Sequence, residues 1–336
     1  MMMTALKRAH RRFARLDRTL IMAVVLLSSV FPVELFPNTP PAPKGLDGQY
    51  SGKQGQVLVV KVKGEEQATE VKGTFLSRTI PFFREFRPGE PAGYIGLLGI
   101  DMQDEPGTYE LAVEVKQGEQ AKQLSFNVLV AKEKFAVEHL KLPKEKVDLD
   151  EKSVARWKAE QQLVQQALAE NSRLKLWHSN FVEPVSGKRT GIFGSVRIMN
   201  GKPRNPHNGE DIGAPMGADV AASNDGVVRL TVDHIFSGRG VYVDHGLGFY
   251  TMYFHLSDVL VKDGDLVTAG QIIGKVGATG RATGPHLHWG VKLNGARVNP
   301  YTLLDLPFKN GSSPANSIAT PKPETTSAPE AVPVKQ

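Results

Sequence analysis

Two long tracts of this chain, residues 48–131 and 181–307, are written as short runs of alternating apolar and polar residues. Gly, Pro, Asp or Glu stops each run after roughly ten residues. A period of two is the pattern of strands with one buried face, and such frequent stops leave no room for long helices. The first tract contains "QVLVVKVKG", "ATEVKGTFLS", "YIGLLGID", "GTYELAVEVKQG" and "QLSFNVLVA", a spacing that predicts a small β-sandwich. The second contains "VVRLTVD", "GVYVDHG", "FYTMYFHLS", "QIIGKVG" and "HLHWGVKLNG", divided by Gly or Asp-Gly turns. Only residues 150–171 change period: Val154, Trp157, Val164 and Leu168 fall on one helical face, with Asp150 as N-cap. The chain is therefore expected to be mainly β, as two β units joined by a helix.

With 336 residues, 40% of them hydrophobic and 23% charged, the chain suits two folded units and is not disordered throughout. The net charge of +6 does not describe a nucleic-acid surface. Lys7, Arg8, Arg11, Arg12, Arg15 and Arg18, opposed only by Asp17, place +5 of it in the first eighteen positions. That basic stretch leads into the uncharged run "TLIMAVVLLSSVF", residues 19–31. Its length fits the core of a signal peptide and falls short of the roughly 20 apolar residues of a comfortable span. No small-x-small cleavage site follows, so residues 19–33 are read either as a cleaved signal or as an inner-membrane anchor. Both place the remainder outside the cytoplasm, in the periplasm or cell envelope.

Cysteine is absent, which removes disulfides, thiolate metal sites and thiol nucleophiles. Histidine is concentrated instead: seven of the nine lie at or beyond residue 178. "NPHNGEDIGAP" presents His207 and Asp211 on a turn entering a strand. "TMYFHLS" presents His255, which alternation places on the face of Thr251 and Tyr253, away from Met252 and Phe254. "GPHLHWG" presents His286 and His288 two apart, hence on one face of a strand. His178 and His234 are isolated and read as surface polar residues; His245, before a Gly-x-Gly turn, reads as structural. Imidazole nitrogen with carboxylate oxygen is the donor set of a catalytic zinc site, which keeps three protein ligands and an open fourth position. Hydrolysis also needs a group to accept and return a proton. The H-E-x-x-H and G-x-S-x-G motifs are both missing, so neither a zincin nor a serine mechanism applies.

Four motifs, "HNGEDIGAPMGADVAASNDGVV", "GVYVDHGLGFYTMYFHLS", "VKDGDLVTAGQIIGKVGATG" and "TGPHLHWGV", stand in the order and spacing of the lysostaphin-type (LytM-like) peptidoglycan endopeptidases. The resemblance runs from about Phe193 to Asn299. It implies a groove-forming antiparallel β-sheet domain with one Zn2+ per chain, held by His207, Asp211 and His288. It further implies that His286 and His255 serve the attacking water and the tetrahedral intermediate, as general base and electrostatic stabiliser. Glu210 departs from the pattern, standing where the family usually has an aliphatic residue, and is expected to face solvent. "VKDGDLVTAGQIIGKVG" also looks like half of a biotinyl or lipoyl domain, but Lys275 is not at a hairpin tip as that reading needs.

The expected organisation is a signal or anchor (1–35), a Pro-rich linker (36–47) and an immunoglobulin-like β-sandwich (48–131). A linker with a helix (132–177), a lysostaphin-type zinc peptidase domain (178–308) and a disordered tail (309–336) complete it. The expected function is an exported zinc endopeptidase that hydrolyses the peptide stems or cross-links of peptidoglycan, with the N-terminal domain restraining the groove. The alternative is a non-catalytic wall-binding protein or an activator of cell-wall amidases. Some relatives become such activators by losing zinc ligands, whereas this chain retains all five residues.

Overall fold

A computed structural model describes residues 48–85, 93–144, 148–169 and 172–308. The expected export segment, the Pro-rich linker and the tail lie outside the described residues. No helix among the described residues is long and apolar enough to cross a membrane.

The first unit is built from β1 (Gln49–Lys53), β2 (Val57–Lys63), β3 (Glu70–Phe75), β4 (Arg78–Glu85), β5 (Gly93–Gly99), β6 (Gly107–Gln117) and β7 (Gln120–Ala131). Its strand order is β1-β7-β6-β3-β4-β5-β2. Strand β4 turns the corner: residues 78–81 pair with β3, and residues 82–85 pair with β5. The two halves of the sheet thereby fold over one core that includes Val60, Phe75, Ile80, Leu98, Leu111 and Val128. The outward face of β5 is also apolar. Ile95 and Leu97 join Trp177, Phe249, Val291 and Leu293 in a second buried cluster that fastens the sandwich to the C-terminal unit. Asp101 accepts the Arg297 N–H at 2.6 Å across the same junction. An apolar interface of this kind makes the sandwich a fixed neighbour and not a swinging one.

After the sandwich come β8 (Val137–Leu140) and the helix α1 (Glu151–Ala169). Asp150 caps the helix, its carboxylate accepting the Ser153 N–H at 2.7 Å. The remaining strands are β9 (Lys188–Gly191), β10 (Val196–Met199), β11 (Lys202–Pro203), β12 (Gly209–Gly213), β13 (Asp219–Ala221), β14 (Gly226–His234), β15 (Gly238–Asp244), β16 (Phe249–Leu256), β17 (Asp258–Val259), β18 (Leu266–Val267), β19 (Ile272–Lys275), β20 (Leu287–Leu293) and β21 (Ala296–Arg297). The principal sheet runs β18-β14-β15-β16-β20-β12-β9, with β21 against β20. One face packs on Ile212, Val241, Tyr253, Leu287 and Trp289. The other carries Leu230, Val232, Tyr242, Met252 and Phe254, against which α1 sets Val164, Ala167 and Leu168. The short strand β8 pairs in parallel with β10, so the linker enters the C-terminal unit as part of a sheet.

His245 is fully buried in this sheet. Its Nδ1 donates to Asp225 O at 2.7 Å, and its Nε2 meets Thr251 Oγ1 at 2.8 Å. Tyr253 Oη lies 2.8 Å from Thr251 Oγ1 and accepts the Ser223 N–H at 2.7 Å. Only one proton order satisfies the chain: tyrosine donates to threonine, threonine to a neutral imidazole, and the imidazole to the carbonyl. Burial accordingly pushes His245 down to about 4 from 6.5. The unfolded chain binds this proton more readily, so stability is full above pH 6.5 and falls as the pH drops towards 4. A shift of that size is worth about 3 kcal/mol. Thermal unfolding of the metal-free protein is expected to move to lower temperature between those pH values, and His245→Gln is expected to remove part of that dependence, the similarly depressed His288 and His255 supplying the rest.

Candidate active site

Strand pairing fixes the first part of the site. In the antiparallel register Asp211 on β12 is opposite His288 on β20, and Phe254 on β16 is opposite His288 on the other side. His207 lies just before β12, where its backbone N–H and C=O bond to Ser195 O and Gly194 N. Three donor atoms then converge: His207 Nε2 is 3.0 Å from Asp211 Oδ1 and 3.0 Å from His288 Nδ1, and His288 Nδ1 is 2.8 Å from Asp211 Oδ1. All three side chains are almost wholly buried. Burial would raise the Asp211 carboxyl, but its contacts with His207 and His288 hold it well below the usual carboxylate range. Burial pushes His288 down to about 4, so its ring is neutral and able to ligate.

Proton bookkeeping shows what these atoms face. His207 Nδ1 is 3.1 Å from Ile192 O, which only accepts, so the proton sits on Nδ1 and Nε2 presents a lone pair. A neutral ring thus aims its Nε2 lone pair at the point that Asp211 Oδ1 and His288 Nδ1 also face. A cation at the centre satisfies all three groups. Ligands about 2.0–2.1 Å from a tetrahedral ion stand roughly 3.3 Å apart, so the triad fits a metal after shifts of a few tenths of an ångström. Two glycines make the convergence possible. A Cβ on Gly209 would stand 2.6 Å from His288 Nε2, and one on Gly191 would collide with Asp211 Oδ2.

The other two histidines line the same region. His286 Nδ1 donates to Gly284 O at 2.8 Å, and His255 Nδ1 donates to Thr279 O at 2.8 Å. Both therefore present Nε2 as an acceptor. His286 Nε2 reaches to 3.8 Å from Asp211 Oδ1, and the His255 ring lies 4.7 Å from that of His286 and 6.1 Å from that of His288. Burial pushes His255 down to about 3, with the neighbouring imidazoles acting in the same direction.

Several expectations need correction. His255 does not share the face of Thr251 and Tyr253, because β16 bulges there: Val241 pairs with Tyr253 and Arg239 with Leu256, leaving Phe254 and His255 opposite Gly240. His255 has φ +64°, and this left-handed residue turns the imidazole onto the side of Met252 and Phe254. Glu210 does not face solvent. It is fully buried beside Trp289 on the opposite face from Asp211 and takes a bidentate pair from Arg189 at 3.0 and 2.5 Å. Burial raises its carboxyl against that pairing. His234, expected at the surface, is buried beneath α1.

Sequence reasoning missed Arg197, whose Nη2 donates to Asp211 Oδ2 at 2.7 Å. It stands fourteen positions away in an undistinguished stretch, and only the fold brings it to the carboxylate. The helix was missed as part of the site as well. A cavity of about 820 Å³ has His207, His255 and His288 on its floor, with Trp157, Glu160 and Val164 of α1 along one wall.

An antiparallel sheet bearing a buried His–Asp–His triad, with two proton-accepting imidazoles beside it, fits the class of metal-dependent hydrolases. Comparison with known proteins makes the assignment specific. Peptidase family M23 matches residues 205–300. A Pseudomonas aeruginosa crystal structure assigned to peptidase M23 is 30% identical, with a TM-score of 0.55, over 73% of this chain and 92% of that one. The chain belongs to peptidase family M23. Among curated proteins, peptidoglycan DD-endopeptidase ShyA of Vibrio cholerae is 49% identical over 28% of this chain and 22% of its own length. DD-carboxypeptidase/endopeptidase Mpg of Neisseria meningitidis is 40% identical over 37% of this chain and 25% of its own length. The chain thus matches about a quarter of the length of these curated relatives.

Proposed function

We propose that the protein is an exported zinc endopeptidase that cleaves peptide bonds in the stems or cross-links of peptidoglycan, working in the periplasm or cell envelope. The observation that carries this reading is the convergence of His207, Asp211 and His288 on one point, with His286 and His255 presenting acceptor nitrogens beside it. The relatives whose names specify peptidoglycan supply the substrate class. Residues 19–33 are the proposed export signal or inner-membrane anchor. Zinc suits a nitrogen-and-oxygen donor set with an open position, where it supplies a Lewis acid and acidifies water towards pKa about 7.

The protein's own groups handle the proton. His286 Nε2, beside the triad, accepts it from the attacking water, while the Gly284 carbonyl holds the ring in the required tautomer. The imidazolium so formed returns the proton to the leaving amine. His255, buried and with its basicity lowered by that burial, orients the reacting groups through Nε2. The full set of five residues weighs against a non-catalytic activator.

The test is release of peptides from purified sacculi, read by mass spectrometry, for the intact protein, the zinc-stripped protein and the His286→Ala variant. Cleavage that needs both zinc and His286 is expected, and the product masses name the bond. Equal release by all three samples would overturn the reading.

The groove restraint, expected of the N-terminal domain, is assigned in this proposal to α1 of the linker instead. Its apolar contact is small, and Trp157 and Leu163 remain exposed. Its polar hold includes the Glu160 carboxylate, which accepts the Ile235 N–H at 3.1 Å, and Arg156, which donates to Asp233 O at 2.8 Å; Trp157 adds an edge-on ring contact with Phe236. Breaking a hydrogen bond to a charged group costs about 1–3 kcal/mol. The double variant Trp157→Ala/Glu160→Ala is therefore expected to digest sacculi about tenfold faster, since about 1.4 kcal/mol is a factor of ten in the open population. Equal initial rates would show that α1 is a permanent wall.

A further inference from the structure

We propose that Glu138, on the linker strand β8, is a positioning residue for the metal centre, acting on two of the three ligands at once. This rests on the reading of His207, Asp211 and His288 as metal ligands. Glu138 lies outside residues 205–300, the stretch that matches the peptidase family. Parallel pairing of β8 with β10 sets it directly beside Arg197. From there its carboxylate divides its two oxygens. Oε2 accepts Arg197 Nε–H at 3.3 Å, and Oε1 accepts the Ile192 N–H at 3.3 Å.

Each branch ends on a ligand. Arg197 Nη2 donates to Asp211 Oδ2 at 2.7 Å, which leaves Oδ1 aimed at the centre of the triad. Ile192 O accepts from His207 Nδ1 at 3.1 Å, which fixes the tautomer that exposes Nε2. Glu138 thus steadies the partner of the carboxylate ligand and the turn that holds an imidazole ligand. It also sets a second negative charge beside a guanidinium that already pairs with Asp211. A lone ion pair at this exposure contributes little to stability. The consequence here lies in ligand geometry: side chains of Glu138, Arg197 and Asp211 are only 22%, 18% and 12% exposed, and removing partners of metal ligands commonly weakens binding about 10–100-fold.

The experiment measures zinc affinity of the full chain by competition with a chelator, alongside thermal unfolding of the metal-free protein. Glu138→Ala is expected to bind zinc at least about tenfold more weakly. Glu138→Gln, which keeps an acceptor and loses the charge, is expected to fall between it and the unmodified protein. Val137→Ser, on the same strand with its side chain exposed, controls for loss of β8 and is expected to leave affinity unchanged. The metal-free unfolding temperature is expected to be similar in all four proteins, which separates positioning from a folding defect. A zinc affinity for Glu138→Ala within twofold of the unmodified value would overturn the inference alone. No zinc binding by the unmodified chain would overturn the metal reading and this inference with it.

Discussion

Replacing His286 with alanine is expected to slow hydrolysis of a cross-linked muropeptide by about 10²–10⁴-fold, the range attached to a positioned general base, while the metal stays bound. The division between rate and metal follows from the geometry. His286 Nε2 stops 3.8 Å from Asp211 Oδ1, whereas the three triad atoms lie within 3.0 Å of one another. The side chain therefore stands next to the triad without belonging to it. Loss should appear mainly in kcat, because the acceptor acts on the reacting water and not on the bound peptide. Zinc content, measured on the same samples, is expected to be unchanged. A variant that lost its zinc would place His286 among the ligands and undo the assignment. His255→Ala is expected to lower kcat as well, again with metal retained, since its ring is 6.1 Å from that of His288.

Much of this arrangement was legible because strands obey a local rule. Alternation marked the β runs, and the two-residue spacing of His286 and His288 led to the expectation of side chains projecting together; they lie 3.8 and 2.8 Å from Asp211 Oδ1. The same rule failed where the backbone departs from it. At Phe254–His255 the extra residue and the positive φ invert the face, and nothing in "TMYFHLS" signals a bulge. Glu210 misled for a different reason. A carboxylate between a strand's glycine and a proposed ligand reads as solvated, yet Arg189 from the edge strand β9 reaches in to pair with it. Partners separated by many positions, such as Glu138 and Arg197 or α1 and Phe236, depend on tertiary packing that no local pattern records. These contacts also change how a truncation would behave. A chain beginning near Leu176 would shed α1 and expose the groove, but it would lose β8 and Glu138 too, so opening and metal loss would oppose each other.

Substituting Asp211 with asparagine is expected to abolish zinc-induced stabilisation, reduce hydrolysis to background and also lower the stability of the metal-free protein. In the triad Asp211 Oδ1 lies 3.0 Å from His207 Nε2 and 2.8 Å from His288 Nδ1, and Oδ2 accepts from Arg197 at 2.7 Å. Burial alone would raise this carboxyl, and the contacts with His207 and His288 hold it well below the usual range, so the fold favours the anion. A neutral amide keeps an acceptor for Arg197 but loses the charge, and a hydrogen bond to a charged group is worth about 1.5–3 kcal/mol. A ligand present at a thousand times its dissociation constant stabilises the native protein by about 4 kcal/mol more. That gain, several degrees in Tm for the unmodified chain, vanishes with the anionic donor. Melting curves should therefore place Asp211→Asn below the unmodified protein without zinc, and further below it with zinc. A variant that melts higher than the unmodified protein without zinc would show that the metal-free triad holds its carboxylate under repulsion. The same negative charge thus serves the fold before the metal binds and the metal once it is bound.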